Sequence, residues 1–163
     1  MLTYQRIKDN DKQLQSLVGM SKEDFAQLHN YYEVSWRKYI EHYNMNGTVR
    51  IRPHRIRKDG KMEKTEDQLL FILHYLKSNS IQEHHAAVYG MRQSHANAWI
   101  HLLLKILHQT LRDVGQLPER KASKLKRLLA NIKEVYIDGT ERDIQRPSDN
   151  ETQKAHYSGK KNS

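Results

Sequence analysis

The sequence predicts a mainly α-helical chain that passes, near its end, into a short β-hairpin. Three observations lead there. Apolar residues recur at helical spacing in several blocks between residues 25 and 114. Cap and stop signals bracket those blocks, Ser21 and Thr65 at starts and Gly90, Gly115 and Pro118 at ends. At "EVYIDGTERDIQRP" the period changes to that of a strand, which marks a boundary near residue 130.

The spacing predicts a short helix over residues 3–17 and a second from Ser21, with Asp24 placed as the acid of a capping box. In the second helix Phe25, Leu28, Tyr32, Trp36, Tyr39, Ile40 and Tyr43 form one stripe, read as a core-forming aromatic face rather than a base-stacking one. Residues 47–64 carry seven Lys/Arg against two acids, with Gly and Pro punctuation that argues against a helix. This basic arm is either a solvated loop or a segment that tracks phosphates, through Arg50, Arg52, Arg55, Arg57 and Lys58. "TEDQLLFILHYLK" follows, with Thr65 as cap, two acids in its first turn and a stripe of Leu69, Ile72, Leu73 and Leu76. A short helix stopped near Gly90 comes next, then a long one with the stripe Trp99, Leu102, Leu103, Ile106 and Val114. "PERKASKLKRLLANIKE" is a basic helical connector.

Composition limits what such a chain does. The 163 residues suffice for one ordinary domain, or for a compact domain plus part of a second. Lys and Arg number 28 against 19 Asp and Glu, a formal charge of +9, which makes a polyanion, most commonly nucleic acid, the first partner to consider. The lack of cysteine excludes disulfides, thiolate zinc sites and cysteine nucleophiles. Runs such as "LLFIL" fall far short of the roughly 20 residues that span a bilayer, and the N-terminus has no signal-peptide core. The expectation is a soluble, intracellular protein, in which the sequon at Asn46 is accidental.

Residues 81–100 fit a helix-turn-helix. Gly90 supplies the turn, Ala86 the small residue that lets two helices approach, and Met91, Ala96 and Trp99 the apolar contacts after it. His85 departs, standing where an aliphatic residue is usual. If Ala96, Trp99 and Leu103 face the core, Arg92, Gln93, Ser94, His95 and Asn97 project outward at the start of the second helix. Arg can pair with guanine there, and Gln or Asn with adenine, in the major groove. His84, His85, His95, His101 and His108 match no standard metal spacing.

"YIDGTERDIQRPSDNETQKAHYSGKK" carries "DGTE", "IQRP", "QK" and "YSGKK" in an order and spacing that resemble the start of the catalytic domain of bacterial insertion-sequence transposases of the DDE superfamily. "TEDQLLFILHYLK" through "GMRQSHANAWIHLLLKIL" resembles the helix-turn-helix placed ahead of it. The resemblance covers about residues 60–161, whereas residues 1–50 share only helical character. It implies a ribonuclease-H-like fold in which three acids hold two divalent metals for phosphodiester attack. Asp138 matches the first acid, a catalytic residue and metal ligand. Mg²⁺ is implied for a complete catalytic domain, with none expected on this chain. Arg142, Arg146, Lys160 and Lys161 match basic positions of the motif. The family continues past "YSGKK" with a basic residue and a His-Thr strand, so the expectation is a truncated transposase that binds DNA but does not cleave it alone.

The implied organisation is N-terminal helices and arm over 1–59, a helix-turn-helix domain over 60–117, a connector over 118–133 and the start of the catalytic domain over 134–163. Implied partners are double-stranded DNA at the terminal inverted repeats, and a second copy or the full-length transposase. No membrane is implied, and the location is cytoplasmic and nucleoid-associated. Two other readings stand beside this one: a short regulator that represses transposition by occupying transposon ends, and an inert helical interaction module.

Overall fold

In a computed structural model, which describes residues 1–52, 62–118, 121–130 and 148–155, every regular element is a helix, and the single β-bridge joins Tyr43 to Val49. Asn10 divides the first predicted helix in two. Instead of one helix over 3–17 there are α1 (Tyr4–Ile7) and α2 (Asp11–Val18). The Asn10 side-chain oxygen accepts the Gln13 N–H at 3.0 Å and so caps α2 at a point where periodicity alone reads straight through.

Ser21 starts α3 (Lys22–His42), its hydroxyl accepting the Asp24 N–H at 3.1 Å. The Asp24 carboxylate also takes the Ser21 hydroxyl at 2.8 Å, where a capping box has the acid reach a backbone N–H instead. Phe25 and Tyr32 are buried along the expected stripe, with Leu28, Trp36 and Tyr39 partly so. Tyr43 lies past the helix end and is exposed.

α4 (Thr65–Ser78) departs from the amphipathic expectation. Asp67 to Leu73, seven consecutive residues, are all buried, while Leu76 of the predicted stripe is half exposed. Seven residues make about two turns, so the helix is enclosed on every side. It packs against α1, α2, α3 and α6 (Gln93–Asp113). Thr65 is the first helical residue rather than its cap, and its hydroxyl meets His29 Nε2 of α3 at 2.8 Å. The two buried polar side chains of α4 are satisfied from other elements. Asp67 Oδ1 accepts the Tyr4 N–H at 2.6 Å and so caps α1 from a different helix. Gln68 accepts from the Tyr32 hydroxyl at 3.2 Å and donates to the Met62 carbonyl at 2.8 Å.

α5 (Gln82–Val88) and α6 complete this unit, which spans Met1–Pro118. The segments read as 1–59 and 60–117 share one core, since Phe25 and Tyr32 cluster with Leu69, Phe71, Leu103 and Ile106. Glu119–Ser163 is a second unit. Its described helices are α7 (Ala122–Leu129), with Lys124, Lys126 and Arg127 exposed, and α8 (Asn150–Ala155). Asp149 accepts the Thr152 N–H at 2.8 Å and the Thr152 hydroxyl at 2.7 Å, which sets α8 just after the segment expected to be strand. Those two bonds hold the Asp149 carboxyl below its ordinary range. The predicted hairpin, with Val135, Tyr136, Ile137 and Asp138, lies outside the described residues.

Asp67→Ala removes the cap of α1 and leaves the Tyr4 N–H without its acceptor. The expected loss is about 1 kcal/mol, read as a lower urea midpoint. An unchanged midpoint would show that α1 is held by its apolar contacts alone.

Candidate nucleic-acid interface

The turn between α5 and α6 forms because Gly90 reaches φ +61°. A side chain in this left-handed region costs about 1–2 kcal/mol. A Cβ on Gly90 would lie 3.7 Å from the Met1 Cβ, an ordinary contact, so conformation rather than space demands glycine. The Met91 N–H closes on the Ala86 carbonyl at 2.9 Å, and the Leu2 N–H caps the Val88 carbonyl at 3.1 Å. Ala86 and Ala96 are buried where the two helices meet, and Trp99 stacks on Trp36 of α3 with centroids 6.2 Å apart.

At the start of α6 the structure exposes Arg92, Gln93, Ser94 and His95. Asn97 is half-buried and tied to its neighbours through Gln82, the first residue of α5. Gln82 accepts from the Gln93 amide at 2.8 Å and donates to Asn97 Oδ1 at 3.2 Å, a three-amide chain across the turn. Gln82 had no signal in the sequence, because its partners lie 11 and 15 residues downstream and become neighbours only once the turn closes. Arg92, the N-cap of α6, offers no side-chain cap, and the first turn holds no acid. The first turns of α2, α3 and α4 all carry acids. The α6 N-terminus thus keeps backbone donors and a positive dipole end for an anion such as a phosphate.

Residues 60–113 match the helix-turn-helix of DDE superfamily endonuclease. The match spans α4, the turn and α6, and it implies DNA binding. No curated protein and no solved structure matches the chain. Among the described residues, no helix is long and apolar enough to cross a membrane.

Within this helix-turn-helix, His85 packs in a core position. It is fully buried on α5, with its ring 4.4 Å from Phe71, 4.9 Å from Tyr89, 5.2 Å from Tyr75 and 5.3 Å from His74. Nε2–H donates to the Phe71 carbonyl of α4 at 3.1 Å, using the spare lone pair of a helical acceptor. Nδ1 is buried with no partner among the described residues, so a proton there has nowhere to donate. Burial first, and His74 second, push the imidazole down to about 4.

The arm divides. Arg52 is exposed, whereas Arg50 is half-buried and folds back, its Nη2 donating to the Tyr43 carbonyl at 3.0 Å. Arg55, Arg57 and Lys58 lie outside the described residues, as does Asp138. Among the described residues no group of three His, Asp or Glu side chains is placed to hold a cation.

The depressed pKa of His85 makes stability depend on pH. The unfolded imidazole takes up its proton near pH 6.5 and the folded one only near 4, so stability present above pH 6.5 is lost as pH falls toward 4. The expected loss from this residue is about 2 kcal/mol at pH 5. Urea unfolding of the wild type and His85→Leu at pH 7.5 and 5 measures it. The variant is expected to have the shallower pH dependence, and identical slopes would rule out this origin.

Proposed function

We propose that this chain is the DNA-binding front of a DDE transposase, in which α5, the Gly90 turn and α6 read the terminal inverted repeats of a transposon. One observation carries the reading. The segment matched to the helix-turn-helix of DDE superfamily endonuclease folds with its second helix starting at an acid-free turn that exposes Arg92, Gln93, Ser94 and His95. Arg92 presents a guanidinium suited to the guanine edge, and Gln93 and Asn97 present amides suited to adenine. Gln82 holds both amides in place, so their orientation is set before DNA arrives. Arg52, with Arg55, Arg57 and Lys58 of the arm, supplies cations for the backbone.

Asp138 is proposed as the first metal-ligating acid of the catalytic domain, on the resemblance of "DGTE" to the family motif. In a complete domain, Mg²⁺ held by such acids would stabilise the attacking and leaving oxygens of phosphodiester transfer.

A preferred duplex is first selected by the chain from a random pool, then titrated against a scrambled duplex. Arg92→Ala or Asn97→Ala is expected to lower affinity for the selected duplex by about 1–3 kcal/mol and to narrow the selected-to-scrambled ratio. Gln82→Ala is expected to narrow the ratio without removing a base contact, since it frees two amides. Ratios unchanged in all three variants would remove α6 as the reading head.

A further inference from the structure

We infer that a second surface on α6, built around Lys105 with Tyr39 of α3 and Tyr43 just past its end, grips the sugar-phosphate backbone flanking the sequence that the helix start reads. The inference rests on the reading of α6 as the recognition helix. Its support comes from residues that no motif singled out.

Lys105 Nζ lies over the Tyr39 ring at 5.4 Å from the centroid and over the Tyr43 ring at 5.8 Å. The two rings are themselves 5.3 Å apart at 32°. A lysine on a flexible stem is normally spread over many rotamers, but here two aromatic faces hold the ammonium in one place while its side chain stays exposed. The platform is fixed in turn. The Tyr39 hydroxyl donates to the Asn44 carbonyl at 3.2 Å, Tyr43 bridges to Val49, and the Arg50 guanidinium is tied to the Tyr43 carbonyl. Between α3 and α6 a cleft of about 320 Å³ is lined by these tyrosines, Lys105 and exposed Lys38, together with Gln109 and Asp113. The one acid, Asp113, already accepts the Gln109 amide at 2.6 Å.

Position along the helix selects phosphate over base. Ser94, Ala98, His101 and Lys105 are spaced four, three and four residues apart and all exposed, so they share one face of α6. Lys105 stands twelve residues beyond Gln93, roughly 18 Å along the axis at 1.5 Å per residue. The major groove is about 8.5 Å deep and about 12 Å wide. With the helix start among the base edges, Lys105 is too far along to reach them and instead meets the rim of the groove, where the backbone runs. Phosphate oxygens are the same beside every base pair, so an ammonium that meets them adds affinity and not selectivity.

The test titrates the full chain on the selected and scrambled duplexes at several salt concentrations. Lys105→Gln is exposed and should fold as the wild type does, which thermal unfolding checks. Lys105→Gln is expected to weaken both duplexes by the same factor and to make the salt dependence of affinity shallower by about one unit. Tyr43→Leu, which removes one ring and keeps the charge, should weaken both duplexes less. An unchanged salt slope in Lys105→Gln overturns the inference even when Arg92→Ala and Asn97→Ala narrow the ratio as expected. A narrowed ratio in Lys105→Gln overturns it too, because the residue would then be reading sequence. If Arg92→Ala and Asn97→Ala leave the ratio unchanged, the reading of α6 fails, and the flanking geometry fails with it.

Discussion

Enclosure of α4 on every side is the constraint from which the N-terminal unit follows. A helix with two buried turns has no solvent face on which to leave polar groups, so Asp67 and Gln68 must find partners inside the protein. They find them in different elements, the Tyr4 N–H of α1 and the Tyr32 hydroxyl of α3. Burial raises the pKa of the Tyr32 hydroxyl, which therefore stays protonated and remains a donor. Apolar packing supplies most of the attraction between these helices but is tolerant of sliding, whereas a buried hydrogen bond is not. The polar pairs thus set the register in which α1 and α3 meet α4.

The same logic reaches the helix-turn-helix through His85. An aliphatic residue there would pack against Phe71 without choosing a register. The imidazole joins α5 to a single carbonyl of α4 and leaves Nδ1 bare in a ring of aromatic groups. The placement of α5 is therefore tied to α4, and α6 follows α5 through a turn that one left-handed glycine makes possible. The proton that would break this arrangement is kept off by burial, so a positional device carries acid sensitivity as a by-product.

Local features were legible in the sequence and long-range ones were not. Ser21 announced α3 because a cap acts within one turn, and Gly90 announced the turn because the left-handed region excludes most other residues. The stripe drawn through Leu76 failed because periodicity assumes one wet face, and enclosure of a helix depends on neighbours up to 63 residues away. Thr65 reads as a cap by residue type, yet its hydroxyl serves α3 instead. Of the five residues expected to face outward on α6, four are exposed, and Asn97 is drawn inward by Gln82, a partner on the preceding helix. Arg50 was read with the arm by its charge, but the bridge between Tyr43 and Val49 turns the chain back and brings its guanidinium onto the fold.

On the proposed reading, the 21 residues of α6 separate two tasks. At its start are amides, which donate and accept in fixed directions, and a guanidinium, which donates in a fixed fork, groups suited to telling one base from another. Twelve residues on, the group is a point charge braced by aromatic rings, suited to a phosphate rather than to a base edge. A second charge beside Arg92 would raise affinity for every sequence at the position where discrimination is proposed to be made. Placing it three turns away would leave discrimination to Arg92 and the amides and let a backbone contact fix how far the helix start enters the groove. The net charge of +9 then draws any duplex toward the chain. On the proposed reading, selection among duplexes falls to the Arg92 guanidinium and to the two amides that Gln82 holds.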